Sequence, residues 1–213
     1  MADRAAEKRA AAEAAAALVE DGSTVGLGTG TTVAHLLPAL ARRGLRLRCV
    51  ATSVATEVAA RALGLVVEPF EQLARLDIAI DGADQIDPDG WLIKGGGGAH
   101  TREKIVAAAA DRFVVIASGD KVVDALAPPV PLELLAFGIP ATLRALGHAE
   151  LRHVPLSPDG GAIADYGGDV GDPAALAARL SATPGVIDHG LFPPGLVHDV
   201  LIARGGEIEH RRR

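Results

Sequence analysis

The regular alternation of short apolar runs with segments of helical pattern is the feature that most constrains the fold of this chain. Strands that alternate with helices form right-handed βαβ units, and such units assemble into a parallel sheet. The sequence therefore predicts a Rossmann-like α/β domain, in which the loops after the strands share the carboxyl edge of the sheet. The predicted strands are residues 24–27, 45–51, 65–67, 77–80 and 113–117, and the predicted helices are residues 2–20, 33–43, 52–63 and 99–111.

A stiff proline-rich segment at residues 128–131 (PPVP) marks a predicted domain boundary. After it the pattern changes to strand, helix, strand, strand, helix, strand, which is the order of a ferredoxin-like unit. In the second of these helices Asp172 is expected as the N-cap and Pro173 as the first helical residue. We predict a Rossmann-like catalytic domain from residues 1–127 plus 200–213, and an inserted ferredoxin-like α+β domain from residues 128–199. The predicted strands of the inserted domain are residues 132–135, 150–154, 161–166 and 186–192, and its predicted helices are residues 140–146 and 172–180. A last strand at residues 200–203 is expected to return to the first domain.

A turn rich in glycine and threonine, Gly28-Thr29-Gly30-Thr31-Thr32, links the first predicted strand to the next helix. Glycines permit a tight turn, a helix N-terminus offers N–H groups to an anion, and hydroxyls add further donors. The third glycine of a dinucleotide-binding G-x-G-x-x-G motif is missing, and so is the carboxylate about 20 residues later. No Walker loop is present either. The turn is therefore better suited to a single phosphate than to a dinucleotide.

The stretch at residues 77–104 combines two carboxylates, Asp81 and Asp84, with Lys94, the four glycines Gly95–Gly98 and Glu103. Each of four consecutive glycines loses much backbone entropy on folding, so the usual benefit is close approach of bare N–H groups to a ligand. A helix is expected to follow, with Glu103 in its first turn. These groups could converge on one small polar ligand. The alternative is a flexible glycine hinge with solvated charges.

Composition excludes several classes of function. The net charge of −6 argues against nucleic acid as a partner. No window approaches the roughly 18 apolar residues of a membrane span, and the N-terminal segment resembles neither a signal nor a transit peptide. The single cysteine, Cys49, is expected in the core, and a reducing compartment, the cytoplasm, is predicted. The seven histidines include no pair at ligand spacing on a helix, and there is no cysteine cluster, so no metal site is predicted.

Four motifs together resemble the type A family of ribose-5-phosphate isomerases: GLGTGTT at residues 26–32, DGAD at 81–84, KGGG at 94–97 with TREK at 101–104, and DK at 120–121. The resemblance covers nearly the whole chain. It implies an aldose-ketose isomerase of the non-oxidative pentose phosphate pathway, a homodimer or homotetramer that needs no cofactor. By this resemblance Glu103 is the proton-shuttling base, assisted by Asp81, Asp84 and Lys94. The residues implied in substrate binding are Thr29, Gly30, Thr31, Thr32, Asp81, Gly82, Ala83, Asp84, Lys94, Gly95, Gly96, Gly97, Lys121 and Lys8.

Two other classes of function share parts of this pattern. A non-catalytic sugar-phosphate sensor, such as the effector domain of a transcription regulator, would keep the phosphate turn but would not need Glu103. It would also carry a DNA-binding segment, and no basic helix-turn-helix is visible in the sequence. Another sugar-phosphate isomerase or deaminase, or a CoA transferase, of the same fold superfamily is the nearer alternative.

Overall fold

The structure is a computed structural model that describes residues 4–213, with the side chain of Gln72 excepted. It has six α-helices, three short 3-10 helices and thirteen strands within that range. The helices are α1 (Arg4–Ala16), α2 (Val33–Arg42), α3 (Val54–Ala62), α4 (His100–Ala108), α5 (Ile139–Leu146) and α6 (Pro173–Ser181). The strands are β1 (Thr24–Leu27), β2 (Arg48–Ala51), β3 (Ile78–Gly82), β4 (Gln85–Ile86), β5 (Leu92–Ile93), β6 (Phe113–Ser118), β7 (Val130–Leu134), β8 (Ala149–Leu151), β9 (Ala162–Tyr166), β10 (Val186–His189), β11 (Leu191–Phe192), β12 (Asp199–Arg204) and β13 (Glu207–Arg212).

The chain divides into two compact units. Unit 1 consists of the described part of Met1–Ala83 together with Arg102–Lys121 and Gly195–Arg213. Unit 2 consists of Asp84–Thr101 and Val122–Pro194.

Unit 1 contains a six-stranded sheet in the order β13-β12-β6-β3-β1-β2. Every neighbouring pair is parallel except β12 and β13, which are antiparallel. This sheet confirms the predicted Rossmann-like α/β class. The core beside it is built from aliphatic side chains on the strands and on the helices that follow them, among them Val25, Leu27, Leu36, Leu40, Ile78, Ile80, Val114, Ile116 and Leu201.

Three details of unit 1 differ from the sequence prediction. The run at 65–67 is not a strand, because only Val67 forms a bridge, to Cys49. Helix α1 ends at Ala16, earlier than predicted, and the Arg43 guanidinium donates to the carbonyls of Ala16 and Val19 at its end. The basic C-terminal segment forms β13, an antiparallel edge strand that the sequence pattern did not indicate.

Unit 2 contains a four-stranded antiparallel sheet in the order β10-β7-β9-β8. Its elements follow the chain as β7-α5-β8-β9-α6-β10, which is the predicted βαββαβ order. The Asp172 side chain accepts from the N–H groups of Ala174 and Ala175, so the predicted N-cap of α6 is confirmed. The core of unit 2 includes Leu132, Leu134, Ala164, Tyr166, Leu176, Leu180 and Leu191.

A second sheet in unit 2 was not predicted. It has three short strands in the order β11-β5-β4. The run at 186–192, predicted as one strand, is divided at Gly190: β10 pairs with β7, whereas β11 pairs with β5. A Cβ at Gly190 would lie 2.2 Å from the Lys94 carbonyl oxygen, so only glycine fits at this crossing point.

The observed division of the chain also differs in position from the predicted one. The second segment of unit 2 begins at Val122, whereas the inserted domain was predicted to begin at residue 128. Unit 2 also includes Asp84–Thr101, which was predicted to belong to the first domain. The three-stranded sheet explains this difference, because β4 and β5 pair with each other and with β11. Among residues 4–213, no helix is both long and apolar enough to cross a membrane.

Candidate active site

The predicted site residues form two clusters, one in each unit. In unit 1 the first cluster lies where β1 and β3 end. The Asp81 carboxylate, only 3% exposed, accepts from the N–H of Thr29 at 3.1 Å and from the N–H of Gly82 at 2.7 Å. The N–H of Gly28 donates to the Ile80 carbonyl at 3.0 Å. The turn after β1 is therefore held against the end of β3 by an ionisable side chain.

Hydroxyl groups organise the same turn. Thr29 and Thr52 share a hydrogen bond of 2.8 Å between their hydroxyl oxygens, and the Thr56 hydroxyl donates to the Gly28 carbonyl at 2.8 Å. From α1, the Lys8 ammonium donates to the Thr31 hydroxyl at 2.9 Å. The predicted grouping of a cation, hydroxyls and a helix N-terminus is thus present at α2, which suits a phosphate group.

Glu103 lies in the first turn of α4 and is 5% exposed. The helix approaches the sheet closely at Gly26 in β1, where a Cβ would lie 2.4 Å from Cγ1 of Val106. Because Gly26 has no side chain, Val106 can pack directly against β1, and this packing positions α4 on the sheet. A glutamate this deeply buried is rare unless its carboxylate is engaged by protein groups or serves a chemical function.

The loop after β6 carries Lys121, with Asp120 beside it. The Ser118 hydroxyl donates to Asp120, and this bond, together with the charges of Arg4 and Lys121, holds the pKa of Asp120 below its ordinary value. From α1, the buried Glu7 carboxylate accepts from the N–H of Gly119 at 3.3 Å and from the N–H of Gly205 at 3.1 Å. Glu7 therefore ties the helix that bears Lys8 to the loop that bears Lys121.

The second cluster lies in unit 2 and is centred on Lys94, which is 2% exposed. Its N–H donates to the Gly190 carbonyl at 2.8 Å, which continues the pairing of β5 with β11. Its ammonium lies 5.3 Å from the centre of the Phe192 ring, within the range of a cation–π contact. Both contacts hold an ammonium group in a buried position.

Close neighbours or positive φ angles restrict Gly95, Gly96 and Gly98 in the glycine run after Lys94. Gly95 has φ +101°, and a Cβ there would lie 2.7 Å from the His100 ring. At Gly96 a Cβ would lie 3.1 Å from the Asp84 carboxylate, which accepts from the Gly96 N–H at 2.8 Å. Gly98 has φ +74° and donates to the Gly95 carbonyl at 2.9 Å. The run is a built turn with defined hydrogen bonds, which argues against the flexible-hinge alternative.

Sequence reasoning did not identify Arg152 and Glu7 as parts of these clusters. Arg152 donates to the carbonyls of Gly95 and Gly96, but it is one of many arginines and lies in no motif. Glu7 looks like any charge on an alanine-rich helix. No pattern in the sequence marks either of them, because their partners are far away along the chain.

The structure places the predicted residues as follows. In unit 1, Thr29 contacts Asp81, Asp81 contacts Gly82, and Lys8 contacts Thr31; in unit 2, Asp84 contacts Gly96. Other predicted residues occupy the same turns or loops as these, namely Gly30, Thr32, Ala83, Gly95 and Gly97, and Lys121 lies in the loop after β6. Among the residues that the structure describes, no group of three or more His, Cys, Asp or Glu side chains could hold a metal ion. Cys49 is fully buried, and burial raises its pKa to about 12, so it is a core residue as predicted.

Comparison with known proteins decides the family. The family model described as ribose 5-phosphate isomerase A (phosphoriboisomerase A) matches residues 48–207. A protein from Methylorubrum extorquens with the name ribose-5-phosphate isomerase A is 48% identical over 205 residues, which cover 87% of each chain. The chain belongs to the ribose 5-phosphate isomerase A family. The resemblance found in its motifs is thereby confirmed.

Solved structures of the isomerase A family agree with this assignment. Ribose 5-phosphate isomerase A from Methanocaldococcus jannaschii superimposes with a TM-score of 0.93 at 30% identity, covering 99% of this chain and 100% of that one. A D-ribose-5-phosphate isomerase in complex with phospho-erythronic acid also gives a TM-score of 0.93 at 30% identity, over the full length of both chains. The α/β architecture described above is therefore that of the isomerase A family.

A second family model, the C-terminal sensor domain of DeoR, matches residues 3–69. That range includes Lys8 and the glycine-threonine turn. It ends before Asp81, Lys94 and Glu103. The match to the sensor domain therefore includes the turn suited to phosphate but none of the three residues Asp81, Lys94 and Glu103.

Proposed function

We propose that the protein interconverts D-ribose 5-phosphate and D-ribulose 5-phosphate through an enediolate, as the activity of its family implies. The reaction moves one proton between two adjacent carbons. A base removes the proton from C2 of the aldose, the electron pair forms the enediolate, and the proton returns at C1 to give the ketose. A second proton passes from the oxygen on C2 to the oxygen on C1, so no electron acceptor or donor is consumed.

Glu103 is the residue proposed to carry the carbon-bound proton. Its carboxylate is buried, and general-base catalysis by a positioned side chain contributes roughly 10²–10⁴-fold to a rate. A glutamate at a helix N-terminus is favoured as the anion by the helix dipole.

The developing negative charge on the sugar oxygens needs fixed donors. We assign this role to the Lys94 ammonium and to the N–H groups of Gly95 and Gly97, whereas the Gly96 N–H holds Asp84. Lys94 is 2% exposed, and donors held in a dry environment are worth more than donors in water. Asp81 and Asp84 are proposed to hold sugar hydroxyls and to assist ring opening. Both are already oriented by backbone N–H groups, those of Thr29 and Gly96.

The phosphate of the substrate is proposed to bind at the turn from Gly28 to Thr32. Lys8 donates to Thr31 there, so a cation is already in place beside the N-terminus of α2. Lys121 is proposed as a second cation for the same group. Holding the phosphate fixes the far end of the substrate, which lowers the entropy cost of bringing C1 and C2 to the base.

The observation that carries this proposal is the burial of two ionisable side chains, Glu103 in unit 1 and Lys94 in unit 2, in a chain that belongs to the isomerase A family. The test is an assay of the purified protein for ribulose 5-phosphate formation from ribose 5-phosphate. In D₂O, proton NMR should show the C2 proton of ribose 5-phosphate exchanging with solvent as the ketose appears. Absence of both ketose formation and proton exchange would reject the proposed reaction.

The sensor alternative rests on the match to the DeoR sensor domain at residues 3–69. A sensor would bind a sugar phosphate at the threonine turn without turning it over. Calorimetry and the isomerase assay on the same sample separate the two functions. Binding without turnover would favour the sensor, and turnover at 1–10³ per second, the usual enzymatic range, would favour the isomerase.

The finer predictions on assembly and location are also proposals. We propose a homodimer or homotetramer, supported by exposed apolar side chains on unit 2, where Phe137 is 86% exposed, Leu135 51% and Ile187 47%. Light scattering after size-exclusion chromatography measures the assembly. A role in the pentose phosphate pathway in the cytoplasm, with no nucleic-acid or membrane partner, follows from the proposed substrate and the predicted reducing compartment.

A further inference from the structure

Arg152 lies directly after β8 in unit 2, outside the motifs that carry the family resemblance. Its guanidinium makes two sets of contacts. Nε and Nη2 donate to the two carboxylate oxygens of Asp165, at 2.7 Å and 2.6 Å. Nη1 donates to the carbonyl oxygens of Gly95 and Gly96, at 3.1 Å and 2.9 Å. One side chain therefore connects a strand of the four-stranded sheet to two successive carbonyls of the glycine run.

The ion pair with Asp165 holds the Arg152 guanidinium in a fixed orientation next to the glycine run. The Arg152 side chain is 19% exposed and the Asp165 side chain 29%, so both are largely removed from solvent. Bidentate pairs of this kind are the strong and geometrically specific form of ion pair. The pair also raises the pKa of Arg152, so the guanidinium stays charged throughout the physiological range.

The geometry of the peptide bond converts these contacts into an orientation of donors. In a trans peptide plane the C=O of one residue and the N–H of the next point in opposite directions. When Arg152 holds the Gly95 carbonyl, the N–H of Gly96 must point away from Arg152, and there it donates to Asp84 at 2.8 Å. When Arg152 holds the Gly96 carbonyl, the N–H of Gly97 must also point away.

Glycine has the largest conformational freedom of all residues, so the run could adopt many arrangements if nothing restrained it. Gly95 and Gly98 already adopt positive φ angles, which other residues rarely adopt. We infer that Arg152 is a positioning residue, which directs the Gly96 N–H to Asp84 and the Gly97 N–H away from the guanidinium, and so pre-orients the Asp84 carboxylate and the Gly97 donor that binds the enediolate. This inference rests on the proposed function, which supplies the enediolate.

The experiment compares wild-type protein with Arg152→Ala and Arg152→Lys. Lysine keeps the charge, but its single ammonium cannot contact Asp165 in bidentate fashion and hold two carbonyls at once. The matched control is Arg112→Ala. Arg112 forms the same kind of bidentate pair, with Asp199, at 2.6 Å and 3.0 Å, and both residues belong to unit 1, whereas the glycine run belongs to unit 2.

We expect the Arg152 variants to change kcat much more than KM. Both Arg152 variants should lose about 10- to 100-fold in kcat, while KM changes by less than about threefold, because the misdirected donors act on the transition state. Guanidinium ion added to Arg152→Ala should restore part of the lost kcat. Hydrogen exchange at residues 95–98 should become faster in both variants, and Arg112→Ala should keep the kcat and the exchange rates of wild type.

The outcomes distinguish the two levels of the proposal. If wild-type protein does not isomerise ribose 5-phosphate, the proposed function fails, and the exchange rates at residues 95–98 still report on the positioning role. The positioning role is overturned if the wild-type protein is active and a folded Arg152→Ala or Arg152→Lys variant has a kcat within about twofold of wild type and unchanged exchange rates. Circular dichroism establishes that each variant is folded, and Arg152→Lys decides the matter if the alanine variant is not.

Discussion

The carboxylate of Asp81 occupies the space that a side chain at Gly28 would need. A Cβ at Gly28 would lie 2.0 Å from Cγ of Asp81 and 2.5 Å from its Cβ, which is closer than atoms can approach. Asp81 cannot move aside cheaply, because its Oδ1 atom accepts from the N–H groups of both Thr29 and Gly82. Glycine at position 28 is therefore a requirement of the site as well as of the turn.

Gly28→Ala should displace Asp81 and disorder the turn after β1. We expect a loss of about 1–3 kcal/mol in the free energy of unfolding, as for other overpacked sites. A fall of about 100-fold or more in kcat/KM for ribose 5-phosphate should accompany it. Urea denaturation and steady-state kinetics measure the two effects. Gly195→Ala is the matched control, since a Cβ there has nothing within 4 Å; equal damage from both variants would contradict the explanation.

Glu103→Gln removes the proposed base but keeps the size and burial of the side chain. We expect kcat to fall by about 10²–10⁴-fold, because an amide cannot accept the carbon-bound proton. Binding of ribose 5-phosphate should survive, and calorimetry measures it. Exchange of the C2 proton with solvent, followed by NMR, should be lost together with turnover.

The control for Glu103 is the same chemical change at an exposed helical glutamate, Glu13→Gln. Glu13 pairs with Arg42 on the surface and should leave kcat unchanged. A Glu103→Gln enzyme with near-normal kcat would show that another group is the base.

Lys8→Ala should weaken substrate binding more than catalysis. The Lys8 ammonium contacts the Thr31 hydroxyl at 2.9 Å, and its proposed ligand is the phosphate, which does not change during the reaction. Loss of one charged hydrogen bond should raise KM by about tenfold and leave kcat within about threefold. Arg9→Ala, one residue later on the exposed face of α1, is the control. A large drop in kcat with unchanged KM would place Lys8 in the chemical step instead.

Treatment with EDTA should leave the isomerase activity unchanged. The proposed charge stabilisation comes from the Lys94 ammonium and the N–H groups of Gly95 and Gly97, which a chelator does not remove. Dialysis against EDTA followed by the isomerase assay, with and without added Mg²⁺ or Zn²⁺, is the measurement. Activity that disappears on dialysis and returns with a metal would require a different account of the enediolate.

Asp199→Asn should make the protein less stable at neutral pH. The hydrogen bond from Arg112, followed by that from His210, holds the pKa of Asp199 below its ordinary value. A lowered folded pKa means that the carboxylate stabilises the fold above its unfolded pKa of about 3.9, and that this contribution is lost as the pH falls through the folded pKa.

We expect Asp199→Asn to cost about 1–2 kcal/mol near pH 7, a value reduced because the Arg112 side chain is 36% exposed. The difference from wild type should shrink toward about pH 3. Urea denaturation across that range measures it, and Glu20→Gln, at an exposed position, serves as the control. A difference that stays constant with pH would show that ionisation of Asp199 is not its cause.

Much of the fold and most of the candidate site residues could be predicted from local sequence patterns. The alternation of apolar runs with helices indicated the parallel sheet of unit 1, and the βαββαβ order indicated the antiparallel sheet of unit 2. Caps are local as well, and Asp172 and Ser53 both accept from N–H groups of the helices they begin. The turn at Gly28–Thr32, the carboxylates, Lys94, the glycine run and Glu103 were all identified as motifs. Each of these depends on residues a few positions apart, where sequence spacing determines geometry.

Other features depend on partners far away along the chain. The run at 65–67 is not a strand because its pairing with the neighbouring segment is limited to one isolated bridge, between Val67 and Cys49. Strand β13 forms by pairing along the edge of β12. The unpredicted sheet of β4, β5 and β11 joins segments about a hundred residues apart, and Gly190 alone permits the crossing at the Lys94 carbonyl.

By itself, the sequence determined the fold class and the chemical groups available for an isomerase, because local propensity and motif spacing act over a few residues. Only the tertiary structure decided that Asp81 excludes a side chain at Gly28, that Glu7 ties α1 to the loop of Lys121, and that Arg152 holds the carbonyls of Gly95 and Gly96. Such contacts arise when the packing of whole elements brings distant side chains within hydrogen-bonding distance. No short-range sequence pattern shows which arginine or glutamate will contact groups far away along the chain.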